Sequence, residues 1–289
     1  MLNKFFKFRF LVLLSSSIIF YSCNSDSEEP IPNPIAALDI TNEAYGTDAN
    51  NSMDIYLPEG RSKETTPLFI YIHGGGWITG DKSEIQAFRP IVENAFPGYA
   101  IISLNYSLLD LASGTGKFPE QENDIIAAIN HILSKTEDWD VSQELILAGA
   151  SAGGHLALLH SYKHPEIGNI KAVMALFPIT DLTTFFDFNS NSQLLLSVML
   201  NGNPVSQSGA YMESSPITYV SSTSIPTVLF HGAADEVVPI SQSESLAAEL
   251  EKNSVANYFE AIPGEVHGFQ PITYLGVIQK AAQFIANEL

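Results

Sequence analysis

The stretch LILAGASAGGHLALLH, residues 145–160, is an apolar run, a cluster of very small residues and a second apolar run. Gly149 and Gly153 weaken a strand and a helix alike, so their presence costs stability on either reading. The run before them reads as a strand and the run after them, Ala152–Tyr162, as a helix. Ser151 therefore stands at a sharp strand-to-helix turn, in the pattern Gly-x-Ser-x-Gly that presents a serine hydroxyl at the end of a sheet. The glycines are needed there because side chains at those positions would collide with the neighbouring strand and helix. The helix N-terminus beneath favours developing negative charge.

Working outward, further apolar runs rich in β-branched and aromatic residues occur at 53–58, 67–74, 100–106, 170–178, 226–232 and 257–264. Most are continuously apolar, as expected of parallel strands covered on both faces. Helical periodicity lies between them, at 121–134, 241–252 and 274–287. This alternation predicts an α/β fold with a mostly parallel sheet flanked by helices, and an antiparallel edge near Asn42–Pro58. Residues 179–224 break the alternation. They hold TDLTTFFDF and QLLLSVML, and an excursion of that length predicts a lid or binding loop inside a catalytic domain of 36–289.

Three more segments bear on chemistry. IYIHGGGW (70–77) sets three glycines after a strand, where backbone amides can face a cavity. The amides of Gly75 and Gly76, with that of Ala152, are candidates for an oxyanion hole. No lysine completes a phosphate loop and no GxGxxG is present. Asp235 follows one late strand and His267 the next, so both fall where strand C-termini meet in an open parallel sheet. The chain order Ser151, Asp235, His267 is that of the α/β-hydrolases. In that arrangement the aspartate orients the imidazole that takes the serine proton. Glu236 is the rival acid and Asp181 a more distant one. Of the other histidines, His73 reads as a buttress of the glycine loop and His155 as lying behind the serine. His131, His160 and His164 read as helix-face or surface residues, and His231 as part of a packed turn.

HGGGW, GASAGG, HGAADEVVP and VHGF together resemble the α/β-hydrolase esterases related to hormone-sensitive lipase. The likeness is nearest to the HGGxW-bearing branch with bacterial acetyl and feruloyl esterases and kynurenine formamidase. FPEQENDIIAAINHI (118–132) matches a helix of that family. Ser107 and Ala150 depart from it, standing where arginine and aspartate are common. The resemblance implies a serine carboxylesterase acting on short-chain or aromatic acyl esters, acetyl or feruloyl groups on plant polysaccharide included, without metal or cofactor. Amide hydrolysis of the formamidase kind and a peptidase-like activity are the enzymatic rivals. A hydrolase-fold binding module with a dead site is the non-enzymatic one.

The N-terminus points to export. Lys4, Lys7 and Arg9 precede the apolar FLVLLSSSIIF (10–20), which is of signal-peptide length and too short to span a bilayer. Cys23, the one cysteine in the chain, follows it and resembles the lipidated cysteine of bacterial lipoproteins. Residues 1–22 are then a signal, and the acidic, proline-rich residues 23–35 a tether. That tether resembles the export signal of surface-exposed lipoproteins, which implies a lipid anchor in the outer membrane and outward display. Removing 1–22 takes three positive charges from a chain of −19, leaving −19 − 3 = −22. Such a charge repels phosphate backbones and excludes nucleic acid as a partner. A small acyl ester or an acylated oligosaccharide is the expected one.

Overall fold

The computed structural model describes residues 34–289. Residues 1–22, expected from sequence to be a signal, Cys23 and the expected tether as far as Asn33 lie outside the described residues.

Eight strands form one sheet: β1 (Leu38–Ala44), β2 (Ser52–Leu57), β3 (Leu68–Ile72), β4 (Ala100–Leu104), β5 (Glu144–Ala150), β6 (Asn169–Leu176), β7 (Thr227–Gly232) and β8 (Asn257–Ile262). Their order is β1-β2-β4-β3-β5-β6-β7-β8. Strands β1 and β2 pair antiparallel, as do β2 and β4, and every later pairing is parallel. The expected α/β architecture with an antiparallel edge is thus present. β3 and β5 lie at its centre, so the loops leaving their C-terminal ends are neighbours.

The helices are α1 (Arg89–Ala95), α2 (Glu120–Trp139), α3 (Ala152–Lys163), α4 (Leu182–Phe186), α5 (Ser190–Met199), α6 (Ser208–Glu213), α7 (Ser241–Lys252) and α8 (Pro271–Glu288). Strand pleating sorts the core into two layers. Leu68, Ile70 and Ile72 pack with residues of α2, α3 and α7, while Phe69 and Tyr71 pack on the opposite face with α1 and α8. This two-sided burial is why the strand sequences are continuously apolar.

Two helices differ from the sequence reading. α1 has seven residues, too short to show a helical period. α2 runs past Ser134 to Trp139 because Thr136 and Trp139 extend the buried stripe of Ile125, Ile129 and Ile132. It stops at Asp140, which adopts a left-handed conformation.

The excursion 179–224 folds as α4, α5, α6 and a short 3₁₀ turn, and much of it is core. Leu182, Leu196, Met199 and Tyr211 are fully buried. Gln242 of α7 holds one end, its Oε1 accepting from the amides of Thr180 and Asp181 at 2.8 Å each. His155 of α3 holds the other end, donating from Nε2 to the Ser214 carbonyl at 2.7 Å.

His160, read from sequence as a helix-face or surface residue, is buried like His155. Burial lowers the pKa of each from 6.5 to about 4, against a weaker upward pull from the carbonyls of Ser214 and Ile167. Both are therefore neutral when folded, yet take up a proton near 6.5 once unfolded. Their contribution to stability is complete above about pH 6.5 and is lost as pH falls towards about 4, on the order of 3 kcal/mol for each. Thermal unfolding followed by circular dichroism should show the melting temperature dropping over that window. His160→Gln should flatten the drop, since glutamine retains a donor for the Ile167 carbonyl and takes up no proton.

Candidate active site

The site is built on the crossing between β3 and the start of α3. A Cβ on Gly153 would run into the backbone carbonyls of Ile72 and His73, and one on Gly149 into that of Gly153. Glycine at these positions lets the helix start against the end of the central strand. Ser151, between them, has φ +54° and ψ −119°, a conformation that costs on the order of 1–3 kcal/mol for a residue with a side chain. Two backbone bonds hold it there. Its amide donates to the Leu176 carbonyl at 2.8 Å, and its carbonyl accepts from the His155 amide at 2.9 Å.

The structure brings Ser151, His267 and Asp235 together. The serine hydroxyl donates to His267 Nε2 at 3.0 Å, and His267 Nδ1 donates to Asp235 Oδ2 at 2.8 Å. The imidazole packs edge-on against Phe177, with ring centres 4.7 Å apart. Glu236 is exposed, and Asp181 caps α4 through the amides of Thr183 and Thr184. Neither rival acid meets the histidine.

Asp235 is held from several sides. Its Oδ1 accepts from the amides of Val237 and Val238 at 2.8 and 2.9 Å. Its Oδ2 lies 3.3 Å from Nε2 of a second imidazole, His231. Burial opposes ionisation of this carboxyl, but hydrogen bonds from His231 and His267 and the Val238 amide together hold it far below the usual carboxylate range. His231 is itself fixed, donating from Nε2 to the Val238 carbonyl at 3.0 Å and accepting at Nδ1 from the Ser243 hydroxyl at 2.7 Å. Sequence reading placed His231 in a packed turn and missed its contact with the acid. The spacing His231–Asp235 across a single strand-end turn was the available signal.

The glycine loop supplies the remaining part. Gly75 has φ +95°, and a Cβ there would strike the Thr79 carbonyl, so the position requires glycine. Its carbonyl accepts from the amides of Ile78 and Thr79 at 3.1 Å each. Among the described residues, the amides of Gly75, Gly76 and Ala152 donate to no backbone carbonyl. Gly75 lines the same space as Ser151 and His267 on both sides of the serine. His73 buttresses the loop from below, with Nδ1 on the Gly74 carbonyl at 2.8 Å and its ring stacked 4.4 Å from Tyr106. Burial lowers its pKa and keeps it neutral. Serine, base, acid and free amides of this kind are able to attack a carbonyl, move a proton and stabilise an oxyanion.

Residues 53–250 match the BD-FAE family model. The chain belongs to the BD-FAE family. Among curated proteins, this BD-FAE member is similar to esterase LipC of Mycobacterium tuberculosis, 24% identical over 78% of the chain and 58% of LipC. The chain spans between 54% and 59% of the length of the first three such relatives. Among solved structures it is similar to a truncated carbohydrate esterase from gut microbiota, with TM-score 0.74 and 22% identity over 87% of this chain and 96% of that one. It is also similar to a bifunctional GH43-CE protein of Bacteroides eggerthii, with TM-score 0.73 and 25% identity over 86% of this chain and 38% of that one. These likenesses establish the α/β-hydrolase fold.

A separate cavity of about 410 Å³ lies beside α2, between α3 and the excursion. Within it Glu122 accepts from Lys163 at 2.8 Å and from His164 at 2.6 Å.

His231→Ala should cost about 1–3 kcal/mol, because it removes a buried donor and leaves the Val238 carbonyl and the Ser243 hydroxyl without their partner. Ser243→Ala, which removes only one hydroxyl, should cost about 1 kcal/mol. Urea midpoints of the two variants against wild type check this order.

Proposed function

We propose that this protein is a serine carboxylic ester hydrolase in which Ser151, His267 and Asp235 are the catalytic triad. The observation that carries the reading is the continuous relay from Asp235 through His267 to a strained serine hydroxyl, beside three unengaged amides. Ser151 Oγ attacks the ester carbonyl as its proton passes to His267 Nε2. The carbonyl oxygen, now an oxyanion, is stabilised by the amides of Gly75, Gly76 and Ala152. His267 then gives the proton to the departing alkoxide, leaving an acyl-serine. Water attacks that intermediate, again with its proton going to His267, and release of the acid restores the serine. Asp235, kept ionised by its donors, stabilises the imidazolium formed in each half-reaction. Likeness to esterases in sequence, and to carbohydrate esterases in fold, supports this chemistry over a binding role.

The substrate class we propose is a short-chain or aromatic acyl ester of a neutral saccharide, with acetyl and feruloyl groups on plant polysaccharide as the leading examples. The early cations that could have clamped an acidic substrate are engaged elsewhere. Arg61 is buried against the carbonyls of Trp139 and Ala36, Lys82 sits 3.6 Å from Asp54, and Arg89 lies over the Tyr56 ring. We further propose that the protein is secreted and held at the outer membrane by lipid on Cys23.

Ser151→Ala and His267→Ala should each lower kcat on p-nitrophenyl acetate by roughly 10⁴-fold with folding intact, and Asp235→Asn somewhat less. Labelling by a fluorophosphonate probe should require Ser151. An inactive Glu236→Gln beside an active Asp235→Asn would show the acid to be misassigned.

Cys23→Ser should shift the protein from the membrane fraction to a soluble or unprocessed form. Intact mass of the wild type should show diacylglycerol on Cys23, and an unmodified cysteine in the mature chain would remove the anchor.

A further inference from the structure

Two lobes of different chemistry open on either side of Ser151, and both include Gly75 and His267. One, of about 350 Å³, is walled by Trp77, Ile78, Ile179, Phe185, Leu195 and Val237. Apart from Ser151 and His267, it has no hydroxyl or charged side chain. The other, of about 420 Å³, is walled by Tyr71, Phe88, Phe177 and Tyr274, and the exposed Glu84 also lines it. Both volumes fall in the range of small-molecule sites.

Glu84 belongs to the 3₁₀ turn at Lys82–Ala87, after the glycine loop. Partial desolvation pushes its carboxyl up and the nearby Asp81 charge adds to this, against the pull of the Asp81 and Gly74 amides. No positive group is among those acting on it. A wholly apolar ligand seated against Glu84 would strip water from the face of the carboxylate it covers and return nothing, which is costly. A ligand with hydroxyls compensates, since hydrogen bonds to an ionised acceptor are about twice as strong as neutral ones. An anionic ligand meets like charge at short range. A quaternary ammonium would require ring faces turned inward around it. Here the rings engage each other instead, Phe88 stacking on Tyr274 at 5.8 Å and standing edge-on to Tyr71 at 5.0 Å.

Resting on the ester hydrolase reading, we propose that the Glu84 lobe is the subsite for the leaving alcohol, a neutral sugar ring whose hydroxyls donate to the Glu84 carboxylate, and that the Trp77 lobe holds the acyl group. An ester of a sugar is apolar on one side of its carbonyl and polyhydroxylic on the other, and the two lobes divide in the same way. The aromatic walls give the C–H groups of the ring apolar contact, with no ring face needing to turn inward. The apolar lobe is far larger than an acetyl group, so acyl groups longer than acetyl fill it better. Glu84 is thereby a specificity determinant, acting on which alcohol is accepted.

The test compares butyryl esters of a neutral methyl pentoside, a methyl uronide and choline with p-nitrophenyl butyrate. The wild type should favour the pentoside over the uronide by roughly ten-fold or more in kcat/KM. Glu84→Ala should lower kcat/KM for the pentoside ester at least about ten times more than for p-nitrophenyl butyrate, with the loss in KM. Glu84→Gln, which removes the charge and keeps an acceptor, should narrow the gap between pentoside and uronide. Leu195→Trp should penalise butyryl more than acetyl esters while preserving the ranking of alcohols. Equal losses across all alcohols, or a preference for the choline ester, would overturn the assignment in an enzyme that is plainly active. A wild type that neither hydrolyses p-nitrophenyl butyrate nor takes up a fluorophosphonate would instead overturn the hydrolase reading, and this subsite with it.

Discussion

The close crossing of the α3 N-terminus over the end of β3 is the constraint on which the rest depends. At Gly153 the helix backbone occupies space that any side chain would need, directly above the carbonyls of Ile72 and His73. The chain can turn from β5 into α3 within a single residue only because of this contact. That turn forces positive φ on Ser151 and lifts its hydroxyl clear of the sheet. The strain is local, and rigid neighbours hold it. Leu176 at the end of β6 takes the serine amide, and the first turn of α3 takes its carbonyl. A serine on a flexible loop would relax out of this conformation.

The same crossing fixes the electrostatics. It places the first amides of α3 and the glycine loop leaving β3 on one side of the serine, at a helix end that favours negative charge. On the other side, β7 and β8 deliver Asp235 and His267 from adjacent strand ends. The acid is buried yet ionised, because two backbone amides and two imidazoles face it. Its charge is therefore preorganised, and in the proposed mechanism an imidazolium formed at His267 would need no rearrangement of the surroundings to be stabilised.

Histidines of one chemical type are put to different uses by their surroundings. His73, His155 and His160 are buried with no carboxylate in hydrogen-bond contact and remain neutral, serving as struts for the glycine loop, the excursion and the end of α3. His155 links the glycine loop to the excursion. It stands one helical turn after Ser151, edge-on to Trp77 of the apolar lobe at 5.0 Å, and holds the excursion through Ser214. The excursion is thus anchored to the helix that carries the serine, and Phe185 and Leu195 reach the lobe from a packed base.

The sequence by itself determined the sheet and the strand ends at which Ser151, Asp235 and His267 meet. Continuous apolar strands at regular spacing, small residues around Ser151 and three glycines after a strand each have a local cause, so they can be read without coordinates. The order of Ser151, Asp235 and His267 was legible for the same reason, since strand ends in a parallel sheet converge. Contacts between residues distant in the chain, or set by exact side-chain direction, were decided only by the tertiary structure. That His231 shares Asp235 with His267 depends on how the β7 turn folds back, and period-based reading does not reach it. The burial of His160 depends on what lies against α3, and the extra turns of α2 on a stripe completed by other elements. Glu84, an ordinary polar residue in a short turn, acquires its place beside the serine from the path between β3 and α1, where the sequence shows no periodicity.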